Sequence, residues 1–97
     1  METPIDKEQV IARIKETGLD NPDTIDLVRR WKIQQEDLIK DDFCEASIVL
    51  NIDMADLYEA GGNIDEALNC LEDARYQAGQ VDHKEFYDQI TKRMEEI

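Results

Sequence analysis

Met54-Ala55-Asp56-Leu57-Tyr58-Glu59-Ala60-Gly61-Gly62-Asn63-Ile64-Asp65-Glu66-Ala67-Leu68-Asn69-Cys70-Leu71-Glu72-Asp73-Ala74 reads as two helices joined by a tight turn. The Gly61-Gly62 pair ends the first helix, because glycine enters the left-handed conformation without a Cβ penalty. Asn63 opens the second: its side chain can accept a bond from an orphan N–H of the first turn, and Glu66 three residues on completes a capping box. Ala55, Ala67 and Ala74 then let the two helix backbones approach at the close end of the usual spacing of roughly 8–10 Å.

The same signals recur outward from this hairpin. Capping boxes are predicted at Asp6 with Gln9, Asp42 with Glu45, and Asp82 with Glu85, and Asn21 followed by Pro22 marks one more start. The expectation is an all-α chain of five antiparallel helices at 6–17, 22–40, 42–60, 63–78 and 82–96. Each carries an apolar stripe at helical spacing: Val10, Ile11 and Ile14 in the first, Ile25, Val28, Trp31, Leu38 and Ile39 in the second, Phe86, Ile90, Met94 and Ile97 in the last. Gly18 stands at a further C-terminal cap. At Lys40-Asp41-Asp42 neither Gly nor Pro intervenes, so residues 22–60 form either one long helix or two; Asp-Asp followed by Glu45 favours a new N-terminus.

Ninety-seven residues suit one domain, 1–97, with a single core, since so short a chain cannot support two separate ones. Apolar residues make up 41% and charged residues 36%, with two prolines and four glycines, a folded helical composition rather than a disordered one. No apolar run is long enough to span a bilayer, and residues 1–20 alternate charge with apolar side chains in place of a secretory signal. Cys44 and Cys70 make no C-x-x-C pair, so the expectation is a reduced, cytoplasmic protein. Across the antiparallel hairpin Cys70 faces the region of Asp53, leaving Cys44 about 13 Å away, too far for a disulfide.

The net charge of −13 is concentrated: between Asp41 and Ala74 stand ten acidic residues and no Lys or Arg. Such a field repels phosphate, so direct nucleic-acid binding and attachment to anionic membrane are not expected. A basic protein partner is compatible with it.

The 46–79 region resembles a tetratricopeptide repeat. The family pattern is met by Ala55 as the small residue of the first helix, Tyr58 near its end, Gly62-Asn63 at the turn, Ala67 and Ala74 as small contacts of the second helix, and Leu71 between them. It is departed from at Asn51, where a large aromatic is usual, and at Gly79, where proline is. Shifting the sequence by a repeat length does not reproduce the pattern, so flanking helices must cover the hairpin at 42–79, the helix at 82–96 serving as terminal cap. Gly62-Asn63-Ile64-Asp65-Glu66-Ala67 followed by an amphipathic helix also resembles, more faintly, the microtubule-interacting and transport domain. Both resemblances imply binding of a peptide or helix.

The residues do not suggest catalysis. His83 is the sole histidine and falls beside a helix cap; no metal-ligand spacing or Gly-rich phosphate loop occurs, and Asp53, Asp56 and Glu59 read as a solvated helix face. Neither enzyme activity nor a cofactor is expected. Trp31 reads as a core anchor, its neighbours Arg29, Arg30 and Lys32 forming the one basic cluster; an exposed aromatic-basic patch is the alternative.

What the tetratricopeptide resemblance implies is a protein-protein interaction module, a small adaptor or chaperone-like protein, whose first repeat helix lines the binding face. On that face Val49, Ile52, Asp56 and Glu59 form a row suited to a basic or amphipathic peptide. The alternative is an acidic decoy that blocks a basic nucleic-acid-binding protein. A homodimer through helices 1 and 2 is also expected, since helix 2 carries more apolar surface than one neighbouring hairpin covers.

Overall fold

The computed structural model describes residues 4–39 and 43–97, including all of these side chains but those of Phe43 and Cys44. Five helices follow one another: α1 (Lys7–Thr17), α2 (Pro22–Leu38), α3 (Phe43–Ala60), α4 (Ile64–Gln80) and α5 (Lys84–Glu96). No strand occurs among the described residues. Helix α2 ends at Leu38, with Ile39 outside helical geometry, so the described residues between 22 and 60 fall in two helices, while Asp42, the expected cap of the second, lies outside the described residues. No described helix is long and apolar enough to cross a membrane.

Helix α3 is the centre, and its sequence shows why. One side carries Ile48 and Ala55, which join Ala67, Leu71, Ala74 and Ala78 of α4 and Ile90 of α5 in a first core, with Phe86 and Met94 packed against it. The other side carries Met54 and Leu57, which join Val10 and Ile14 of α1 and Trp31 of α2 in a second core. A helix with apolar residues on two faces must be covered twice, and α3 is, so in place of the single core expected for so short a chain there are two small clusters that share α3. The alanines do what their size allows: Ala55, Ala67, Ala74 and Ala78 are fully buried where α3 and α4 meet. Trp31 is 1% exposed and is the anchor of the second core. At the far end of the α3–α4 seam, Asn51 donates to Gln77 Oε1 at 2.7 Å and Gln77 donates to Ser47 Oγ at 2.9 Å, so the residue that departs from the tetratricopeptide pattern is part of a polar clasp.

The turns are built from shared residues. Asn63 N–H donates to Tyr58 O at 2.9 Å and Gly62 N–H to Glu59 O at 3.0 Å, closing α3 with Gly62 at φ 80°; Asn63 Oδ1 then caps α4 by accepting from Glu66 N–H at 3.3 Å. Twenty residues later the same closure recurs: His83 N–H donates to Ala78 O at 2.8 Å and Asp82 N–H to Gly79 O at 3.3 Å. Here the left-handed residue is Asp82, at φ 56°. The cap of α5 is therefore His83, whose Nδ1 accepts from Phe86 N–H, and not Asp82. At α2, Asn21 Oδ1 accepts from Asp23 and Thr24 as expected, whereas Asp6 begins α1 without a side-chain cap bond.

Gly61 is required for a different reason from Gly62. Leu19, in the α1–α2 connection, fills the space its Cβ would take, with Ile14 Cγ2 3.2 Å from that point. The first hairpin thereby rests on the turn of the second.

Candidate functional site

The four residues of the expected binding row do not form one surface. Ile52 is half-buried against the first core. Asp56 and Glu59 point to the open edge of α3, but cations from both ends of the chain reach them. Lys7 of α1 donates to Asp53 Oδ1 at 2.8 Å and also to Asp56; Arg93 of α5 pairs with Asp56 and, at 3.0 Å, with Glu59 Oε2. Asp53, Asp56 and Glu59, three residues apart on α3, thus form a row bracketed by one lysine and one arginine.

Partial burial disfavours charge on Lys7 and on Arg93, yet hydrogen bonds and charges of Asp53 and Asp56 outweigh it at Lys7, and those of Glu59 and Asp56 at Arg93. Both cations are held above their ordinary pKa. Two cations thus meet three carboxylates and offset most of the row's charge within the chain, which sequence reading missed because the partners lie 49 and 34 residues away.

Val49, the fourth residue, faces another direction. It is 40% exposed and lines an open groove of about 380 Å³ between the end of α2 and the first half of α3, with Leu38, Ile39, Ala46 and Leu50 as apolar walls and Glu45 and Asp53 at its rim. The origin of this groove is legible in α2. Thr24, Trp31 and Leu38 are seven residues apart, hence on nearly one line of the helix. Thr24 and Trp31 are buried, but Leu38 is 73% exposed. Helix α1 is 11 residues long against 17 in α2, and Ile5 N–H donates to Gln34 Oε1 at 2.8 Å, which fixes the start of the first hairpin level with residue 34. The core-facing stripe of α2 runs on past its cover.

The basic cluster beside Trp31 is partly spoken for: Arg30 pairs with Asp26 at 3.0 Å and Lys32 with Glu36 at 4.0 Å, each one turn along α2. Cys70 is a free thiol packed against both cores; burial, then the carboxylates of Glu66 and Asp73, push its pKa up, so it is a poor nucleophile. Among the described residues no three His, Cys, Asp or Glu side chains are grouped to hold a metal ion.

Comparison with known proteins returned no matching family, no matching curated protein and no matching solved structure.

Proposed function

We propose that this chain is a protein-binding module, an adaptor of tetratricopeptide-like build, that seats an amphipathic helix or peptide bearing basic residues in the groove between α2 and α3. The observation that carries this reading is the row Thr24, Trp31, Leu38. A stripe made for burial ends in a leucine that is 73% exposed, beside Val49 at 40%. An apolar residue of a partner, laid along Leu38, Ile39, Val49 and Leu50, would continue the second core outward, and Glu45 at the rim selects for a cation beside it.

The acidic-decoy reading needs carboxylates in one continuous ridge. The described ones between 41 and 74 are divided: Asp53, Asp56 and Glu59 are paired with Lys7 and Arg93, Glu45 edges the α2–α3 groove, Asp65 and Glu66 stand in the first turn of α4, and Glu72 and Asp73 edge a groove beside α5. That distribution lends the decoy no support.

The test is titration of a labelled helical peptide of leucine and lysine against its leucine and glutamate counterpart. The basic peptide should bind, and Leu38→Ser and Val49→Ser should each weaken it about tenfold. Tighter binding of the acidic peptide would overturn the reading. So would sedimentation equilibrium showing a dimer that Leu38→Ser dissolves, because the groove would then belong to a second copy.

A further inference from the structure

Helices α4 and α5 enclose a second open groove of about 560 Å³ on which the reading above makes no demand. Tyr76 and Tyr87 line it, 70% and 42% exposed. Neither ring is needed by the cores. Glu72 and Asp73 stand one turn before Tyr76 on α4 and Arg75 lines the groove with them, two carboxylates against one guanidinium; among the described residues neither carboxylate takes part in an ion pair. One ring already shows what it accepts: the guanidinium of Arg75 stands 5.9 Å from the centroid of Tyr87. Tyr76 offers a second phenol face with no such cation among the described contacts.

We infer that this seam is a second docking surface, and that its occupant is an arginine side chain presented by a protein or peptide. Charge and shape select that occupant together. Carboxylates beside the groove repel phosphate and would be desolvated without return under an apolar side chain. A cation fits both the carboxylates and the ring face. Arginine fits better than lysine, because its planar, weakly hydrated guanidinium can lie on Tyr76 while donating to Glu72 or Asp73, whereas an ammonium holds its water more tightly. Gly79 shapes the floor: a Cβ there would stand 3.8 Å from the edge of the Tyr87 ring, ordinary contact, so alanine is sterically admissible and fills the notch from below.

The experiment uses the full chain and two labelled octapeptides, arginine alternating with glycine and lysine alternating with glycine, followed by fluorescence anisotropy at fixed ionic strength. The arginine peptide should bind several-fold tighter than the lysine peptide. Tyr76→Leu, which changes no charge, should weaken the arginine peptide by about fivefold and erase the preference. Gly79→Ala should weaken it without lowering the Tm, and Leu38→Ser should leave it unchanged, which separates this surface from the α2–α3 groove. Equal binding of the two peptides, or binding indifferent to Tyr76→Leu, would show mere attraction to an acidic chain and overturn the inference. Loss of binding in Leu38→Ser would overturn it as well, by placing the peptide elsewhere.

Discussion

The side chain of Leu19 occupies the space that a Cβ on Gly61 would need. Gly61→Ala should therefore destabilise the fold by overpacking, by roughly 1–3 kcal/mol, read as a lower urea midpoint with unchanged slope. Leu19→Ala in the same chain should recover part of that loss. No such rescue is expected for Gly62→Ala, whose cost is the left-handed backbone at φ 80°, with nothing within 4 Å of the added methyl.

Asp82 invites the opposite change. It holds φ 56° in a turn closed by the same hydrogen bonds as the one in which Gly62 stands. Asp82→Gly should remove the Cβ penalty and raise stability by roughly 0.5–1 kcal/mol, a Tm gain of several degrees in a domain of this size. An unchanged or lower Tm would mean that the aspartate gives the turn something the backbone does not reveal.

Trp31 and Leu38 are of one stripe and should answer substitution differently. Trp31→Ala should cost about 3–5 kcal/mol, because it empties the centre of the second core. Leu38→Ser, at a residue 73% exposed, should change stability by less than about 0.5 kcal/mol. Chemical denaturation of both variants checks the contrast, and it also licenses Leu38→Ser as a probe of binding alone.

The Lys7 pair makes a pH prediction. Burial lowers the lysine's pKa, but the Asp53 and Asp56 interactions outweigh it, so the folded value lies above the ordinary 10.5. A raised folded pKa means that the pairing contributes fully below the unfolded value and is lost as pH rises through the folded one. Wild type should thus exceed Lys7→Met in stability near neutral pH, and the gap should begin to close only above about pH 10.5. A gap that persisted at alkaline pH would assign the loss to packing of the lysine stem instead.

Local chemistry was readable in the sequence, and long-range chemistry was not. Asn21, Asn63 and the alanines announced caps and close helix contacts because each acts within a turn of itself or through its own size. The cap of the helix starting at Lys84 lies one residue beyond the expected Asp82, since an aspartate before a glutamate looks like a cap and only the backbone shows Asp82 to be the left-handed residue. The ion row could not be foreseen: Lys7, Asp56 and Arg93 are brought together only when both ends of the chain fold back on α3. Val49 stands in the expected binding row and is 40% exposed, but Leu38 and Ile39 across the groove from it come from the end of α2, and their exposure depends on where α1 begins.

Tyr58 and Cys70 pack against both cores, and otherwise the α1–α2 hairpin addresses a different face of α3 from the one α4 covers. The first hairpin stands to the other three helices as a tethered ligand stands to its receptor, held at high effective concentration by its own chain. If the tether is what keeps it seated, it should come off as a unit: amide exchange in α1 and α2 should share one opening free energy, smaller than that of α3 and α4. Each opening would uncover Met54 and Leu57, a docking face already matched to Val10, Ile14 and Trp31. A hairpin from a second molecule fits that face as well as the chain's own does, so at high concentration the exchange of hairpins between copies is the failure to which this architecture is most exposed.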